Sequence, residues 1–366
     1  MQLRFSPYHA RLGAGTNANQ GAIIMWRVQV AAAVSLALAL CQAAGAAVPQ
    51  TMRAAAIDAA GGPQVITLHT LPVPKPDSDE VLIAVHTAGV AVWDASVREH
   101  PQEIKHSRFP LVLGTDGSGT IAAVGSQVRG FKLGDEVYSY SWDNPKGGFY
   151  AEYVAVPAKL VGHVPTGLSL RDAGAIGTTG LTAIQGIDDA LHVKSGETLI
   201  IHGAAGGVGS LALQFAKLRG ARILATASGE DGMSFVKGLG ADMVVDARRG
   251  DIVASARQFA PGGVDAVLAF AGGDALERCL ETLKPGGRLA FPWGVSPEPK
   301  PHVELAIDIR YNAVPGTQEF ERLNQAIIAS KLQVPIAAEY PLAEAAKAHE
   351  RLEAGHVLGK VVLRIH

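Results

Sequence analysis

Residues 198–292 alternate between short apolar strand patterns and amphipathic helical patterns, and this restricts the possible folds more than any other feature of the chain. Strand patterns at 198–202, 222–227, 243–246, 264–270 and 287–292 are separated by helical patterns at 207–219, 231–239, 251–259 and 274–283. Each crossover is long enough to be a helix, so consecutive strands run parallel and the helices cover both sheet faces. The expectation for this part of the chain is therefore α/β, with a doubly wound parallel sheet.

The first crossover carries the chemistry. Behind the strand comes Gly203-Ala204-Ala205-Gly206-Gly207-Val208-Gly209, an A-x-G-x-x-G form of the dinucleotide fingerprint in Ala204, Gly206 and Gly209. Without a Cβ, Gly206 lets the backbone approach a diphosphate, and Gly209 lets the helix pack tightly on the sheet. The free N–H groups of Gly207, Val208 and their neighbours at the helix start face the anion. Val208, Leu211, Ala212, Phe215 and Ala216 form one apolar helix face, and Gly220 ends the helix. A site for NAD wants a carboxylate at the end of the second strand, to hold the ribose 2′-hydroxyl. Ala227 and Ser228 stand there instead, so NADP is the expected coenzyme, although Glu230 is near and no Lys or Arg follows until Lys237.

Residues 52–170 read differently. Short β-rich segments such as "EVLIAVHTAGV", "GSGTIAAVGSQV" and "YAEYVAVPAKL" are broken by Gly and Pro, which suggests a compact antiparallel barrel-like unit. At 366 residues the chain is long enough for two domains and an extension. A net charge of -2 and the lack of a basic stripe exclude a nucleic-acid partner. Two cysteines, Cys41 and Cys279, exclude a disulfide framework and a thiolate-rich metal site, and no two of the 12 histidines pair at ligand spacing with a further ligand.

The first 46 residues form a leader-like segment. From Met25 there is one Arg, an apolar run from Val28 to Leu40, and small residues at Ala44 and Ala46 before Ala47. This is the pattern of a secretory signal, and the run is too short for a stable membrane span. Leu40 before Cys41 does not fit a lipid-anchor cleavage box, and residues 1–24 fit no pattern. The alternative is a start at Met52, where "MRAAAIDAAGGPQV" opens as an enzyme would. The first reading places the protein in the periplasm or outside the cell, the second in the cytoplasm. N-terminal sequencing of the native protein separates them: export predicts a mature start at Ala47, and a start at Met52 rejects it.

Taken together, "MRAAAIDAAGGPQVI", "AGVAVWDASVR", "FPLVLGTDGSGTIAAVGSQVRGFKLGDEVY", "GGFYAEYVAVPA", "GLTAIQGI", "HGAAGGVGSLALQFAK", "LKPGGRLA" and "AHERLEAGHVLGKVVL" resemble the medium-chain dehydrogenase/reductase superfamily, in its zinc-independent quinone oxidoreductase branch. The resemblance covers nearly all of residues 52–366. It implies a GroES-like β-rich catalytic domain over residues 52–170, completed by about 315–366, and a Rossmann domain over 171–314, with the coenzyme in the cleft between them. It also implies a homodimer, and reduction of small-molecule quinones or α,β-unsaturated carbonyls by hydride from NADPH. Two alternatives stay open: an NADPH-binding redox sensor or scaffold with little turnover, and a zinc-free NADP-dependent alcohol dehydrogenase.

Residue by residue, the resemblance carries Thr182 to the nicotinamide end, Ala271 and Gly272 to the sheet edge crossed by the coenzyme, and Lys360 towards the coenzyme from the closing strand. Zinc-dependent relatives have a Cys in the block where this chain runs from Gly89 to Asp94, and Gly-His-Glu where it has Gly114-Thr115-Asp116. No zinc is therefore expected. Many quinone oxidoreductases also have Asn where Ala91 stands and Tyr where Ser96 stands. Both are missing here, so no catalytic proton donor can be named, and Ser96, Trp93 and Tyr140 are pocket candidates by position only. Asp94 and Asp135 read as turn and capping carboxylates, with Arg98 as a partner for Asp94.

Overall fold

The computed structural model describes residues 48–105, 107–301 and 304–366, so the leader-like segment lies outside the described residues. Among the described residues no helix is long and apolar enough to cross a membrane.

The first part of the chain builds two antiparallel layers. Strand β1 (Thr51–Ile57) pairs along its whole length with β2 (Ile66–Pro72). The larger sheet is organised around β3 (Glu80–Val90), whose Val, Leu and Ile side chains are buried on both faces. The short strand β4 (Leu111–Val112) joins β1, while β5 (Asp116–Val124), β6 (Glu136–Tyr140), β7 (Tyr153–Pro157) and β8 (Val161–His163) extend the larger sheet. Helix α1 (Val92–Glu99) follows β3 directly, and α2 (Leu170–Ala173) and α3 (Gly177–Gln185) lead out of this region.

The glycine-rich stretch then opens a six-stranded parallel sheet made of β9 (Thr198–His202), β10 (Arg222–Ala227), β11 (Met243–Asp246), β12 (Val264–Ala269), β13 (Leu283–Pro292) and β14 (Ile307–Tyr311). The connecting helices are α4 (Gly207–Leu218), α5 (Gly229–Gly238), α6 (Ile252–Phe259) and α7 (Asp274–Leu280). The strand order β11-β10-β9-β12-β13-β14 reverses direction between β9 and β12. At such a reversal the loops diverge and leave a crevice at the carboxyl edge of the sheet.

Two details differ from the sequence expectation. The last crossover helix ends at Leu280, and β13 begins at Leu283 rather than 287, because Thr282 turns back onto the Cys279 carbonyl and Gly286 takes a left-handed φ of +72° that a right-handed helix cannot hold. The sixth strand, β14, was not anticipated. It is an edge strand whose middle residues Asp308, Ile309 and Arg310 are exposed, so it lacks the apolar signature of its buried neighbours.

After helix α8 (Thr317–Ser330) the chain returns to the first sheet. Strand β15 (Ile336–Pro341), helix α9 (Ala345–Glu353) and β16 (Lys360–Arg364) follow, and β16 lies antiparallel to β3 with Val361 opposite Val90. The start of β16 is therefore fixed beside the end of β3 and the start of α1.

The glycines of the fingerprint turn do different work. A Cβ at Gly209 would overlap the Gly203 carbonyl oxygen and sit 2.7 Å from the Ala204 Cα, whereas at Gly206 the nearest atom would be the Gly203 oxygen at 3.6 Å. Gly209→Ala should therefore lower stability by about 1–3 kcal/mol through forced separation of helix and strand. Gly206→Ala should leave the melting transition close to that of the parent, and thermal unfolding of the pair checks both.

Candidate active site

The fingerprint turn stands half-exposed at residues 205–208, at the mouth of the crevice. Ala204 is fully buried and donates its N–H to the Thr226 carbonyl (3.0 Å), while the Thr226 hydroxyl accepts from Gly203 N–H (3.1 Å). These bonds pin the turn to β10. Across the reversal, Ala271 lies 3.5 Å from the position a Gly203 Cβ would take, and a Cβ on Gly272 would run into the Pro297 backbone. Residues 205–208 are therefore the accessible part of the turn, with Ala204 and Gly209 buried beneath it and Ala271 and Gly272 across the reversal. Ser228 closes β10 and forms the N-cap of α5.

An acid missed by the sequence reading reaches the same helix start. Asp246, at the end of β11, accepts from the N–H groups of Gly229 (3.3 Å), Arg248 (2.8 Å) and Arg249 (3.2 Å). These backbone hydrogen bonds, led by that from Arg248, hold its carboxyl below the usual range. The end of β10 itself carries no acid, and this one comes from the next strand over.

The closing strand meets the fingerprint turn directly. Gly359 N–H donates to the Ala205 carbonyl (2.8 Å), and the side-chain Cδ of Lys360 lies 3.4 Å from the position of a Gly207 Cβ. From there the Lys360 stem turns inward. Its ammonium lies 4.9 Å from the centre of the Trp93 ring, and its Nζ is buried without a hydrogen-bond partner. Trp93 in turn donates from its indole N–H to the Thr115 hydroxyl (2.7 Å), so the ring is oriented rather than merely packed.

Two buried carboxylates face this ammonium. Asp94 uses one oxygen to accept the Ala91 N–H (2.9 Å), which is the capping role read from the sequence, and the same oxygen receives a long contact from the Tyr150 hydroxyl (3.4 Å). Asp116 accepts the Thr178 N–H (2.9 Å) at the start of α3. The second oxygen of each carboxylate, and the Thr178 hydroxyl, are buried and unpartnered. Burial raises the Asp94 carboxyl to about 7, with the Lys360 charge opposing the rise and the Asp116 charge adding to it. Tyr140, paired with Asp116 across β5 and β6, is pushed up to about 12 by burial and then by the two carboxylates. A cavity of about 20 Å³, room for a single water, adjoins this group and is lined in part by Asp94, Thr115, Ser141 and Asn144.

Behind Asp94 runs a directed chain. Arg98 can only donate, so its contact with His349 Nδ1 (3.0 Å) makes that nitrogen the acceptor. Burial, and then the Arg98 charge, lower His349 to about 3, so the ring is neutral and its proton sits on Nε2, which donates to the Tyr150 oxygen (3.2 Å). The Tyr150 O–H is then turned towards Asp94. Arg98 itself binds the Gly61 carbonyl (2.8 Å), Glu353 (2.6 Å) and Glu99 (2.5 Å) as well as His349. It is not the partner of Asp94. Helix α1 sends the two side chains in different directions, so the expected pair does not form.

The structure places the remaining candidates as follows. Trp93 and Tyr140 belong to the Lys360 group, and Ser96 lies half-buried one turn beyond Trp93 on α1. The Thr182 hydroxyl donates to the Thr178 carbonyl of its own helix (2.8 Å), leaving Thr178 as the threonine with an open hydroxyl near Asp116. Asp135 caps its turn by accepting the Lys132 N–H (2.9 Å). Sequence reasoning missed Asp116 and undervalued Asp94. The available signal was that both are acids in strongly apolar blocks, whose burial leaves an ionised carboxylate costly.

Comparison with known proteins assigns the chain. Residues 77–166 match the model for the alcohol dehydrogenase GroES-like domain, and residues 239–363 match that described as zinc-binding dehydrogenase. The mouse quinone oxidoreductase is 31% identical over 85% of this chain and 97% of its own length. The chain belongs to the medium-chain dehydrogenase/reductase family, in its quinone oxidoreductase branch. It is an oxidoreductase. The NADPH-dependent alkenal/one oxidoreductase of Arabidopsis thaliana chloroplasts is 30% identical over 87% of this chain and 81% of its own length. The solved Escherichia coli quinone oxidoreductase complexed with NADPH superposes with a TM-score of 0.76 at 25% identity, covering 86% of this chain and all of that one.

The donor set does not suit a zinc ion. Ala91 offers no ligand, the Thr115 hydroxyl already accepts from Trp93, and the buried Lys360 ammonium beside the two carboxylates opposes a dication. Among the described residues no three His, Cys, Asp or Glu side chains come together in a way that could hold a metal.

The elevated Asp94 carboxyl generates a stability prediction. A folded-state value of about 7, against 3.8 for the ordinary carboxyl, means that the native state holds this proton more tightly than the unfolded chain. Its contribution is fully present below pH about 4 and is lost as pH rises to about 7, a change of at most about 4 kcal/mol. Urea denaturation across this range should show a downward slope that Asp94→Asn flattens.

Proposed function

We propose that the protein is a zinc-independent, NADPH-dependent reductase of quinones or α,β-unsaturated carbonyls. One observation carries the reading: the half-exposed fingerprint turn at the strand reversal meets a buried, unpartnered lysine from the closing strand. A turn of free N–H groups with a cation beside it suits a diphosphate, and the open space at Gly206 accommodates one. NADPH, when bound, supplies the hydride.

The chain's own residues then have distinct tasks. The N–H groups at the start of α4 hold the diphosphate with the Lys360 stem running alongside, and Ala271 and Gly272 stand across the strand reversal from them. Trp93, fixed by Thr115, and Tyr140 shape the inner pocket, and the Asp94 carboxyl, raised to about 7, exchanges its proton near neutral pH. With no Lewis acid, polarisation of an acceptor rests on hydrogen bonds, which suits conjugated acceptors better than simple alcohols. NADP over NAD is favoured by the hydroxyl of Ser228 at the end of β10 and by Arg248 and Arg249 in the loop after β11. The Asp246 charge there is taken up by three backbone N–H groups. A homodimer completes the proposal, with location following the mature N-terminus.

The test is NADPH oxidation measured with a panel of quinones, enones and alcohols, with and without a chelator. Acceptor-dependent oxidation with quinones or enones, unaffected by chelation, is expected. Binding without turnover supports the sensor alternative, and activity confined to alcohols supports the dehydrogenase. Gly206→Asp should keep the fold, because a Cβ fits there, and lose NADPH affinity at least tenfold in a fluorescence titration through charge repulsion at the diphosphate.

A further inference from the structure

The unpartnered Lys360 connects two places that sequence treats separately. Its stem crosses the first turn of α4, where a diphosphate would rest, and its ammonium ends among Asp94, Asp116 and Trp93. Lys360 Nζ and one oxygen of each carboxylate are all buried without a hydrogen-bond partner. With both carboxylates ionised, the trio carries one excess negative charge in a poorly solvated place. One proton on Asp94 restores neutrality.

A diphosphate arriving at the turn changes this balance. Whether the flexible lysine swings towards it or simply feels its field, the positive charge available to Asp94 falls and the nearby negative charge rises, and both effects favour the protonated carboxyl. We infer that Lys360 and Asp94 couple coenzyme binding to proton uptake, so that the complex with NADPH already contains, at Asp94, a proton taken from solvent. This rests on the coenzyme reading above. The proton matches the stoichiometry of the proposed reaction, in which an acceptor gains one hydride and one proton.

Other groups facing Asp94 do not compete for this role near neutrality. From β6 and the segment after it, Tyr140 and Tyr150 are both pushed upward by burial and by the carboxylates, so they stay neutral. From α9, His349 is lowered to about 3 and is also neutral. On α1, Arg98 donates to His349, Glu353 and Glu99, and because it occupies the outer nitrogen of His349, the chain through Tyr150 orients Asp94 but cannot conduct a proton from outside.

The experiment is calorimetric titration of the full-length protein with NADPH at pH 7.5 in two buffers of different ionisation enthalpy. A one-unit rise from about 7 corresponds to uptake of about half a proton per site. Asp94→Asn keeps an acceptor for the Ala91 N–H and should bind NADPH within a few-fold of the parent with no buffer-dependent heat. Lys360→Met should bind more weakly and take up less. Tight binding with no proton uptake in the parent, or undiminished uptake in Asp94→Asn, overturns the coupling and leaves the coenzyme reading standing. No NADPH binding by the parent overturns both.

Discussion

One backbone hydrogen bond, from Gly359 N–H to the Ala205 carbonyl, sets the geometry on which the site depends. Its net energy is about 1 kcal/mol, as for any such bond. Its importance is positional, because it holds the residue just before β16 against the fingerprint turn and so brings Lys360 alongside that turn. Gly359 has a φ of +98°, and a side chain there would strike the Pro335 backbone, so the tie demands a glycine. Lys360 N–H then bonds the Pro335 carbonyl (2.9 Å), which fixes the next residue in turn.

What this tie assembles is electrostatically costly. An ammonium and two carboxylates lie buried with open valences, and such groups destabilise a fold unless they are paired or put to use. The surroundings are by contrast well satisfied: Ala91 and Thr178 N–H groups bind the carboxylates, Trp93 is held by Thr115, and Tyr150 is aimed by His349. A departure from local optimisation, set inside an otherwise satisfied frame, is the mark of a functional centre.

Sequence made the parallel sheet legible because its strands are buried on both faces and carry continuous apolar runs, while the glycine spacing reported the turn between β9 and α4. The exposed edge strand β14 lacked that signal and stayed invisible. For the candidate site, the fingerprint residues were readable because their neighbours along the chain are their neighbours in space. Asp94 looked like a helix cap, and is one; nothing local revealed that Lys360, 266 positions later, would share its pocket. Arg98 sits one helical turn from Asp94 and looked like its partner, but α9 supplies His349 and Glu353 on the other side and takes it away. The residues misread are those whose partners come from elements far away in the chain.

That distance bears on how the protein reaches its native state. The six parallel strands occupy one continuous run from Thr198 to Tyr311, so they can find each other through successive short crossovers. The antiparallel sheet cannot be finished in the same way, since β16 must travel back across the whole nucleotide-binding region to reach β3. Closure over so long a loop is slow compared with local pairing. The charged pocket needs Lys360 from β16, so it cannot be complete before that long-range pairing has formed.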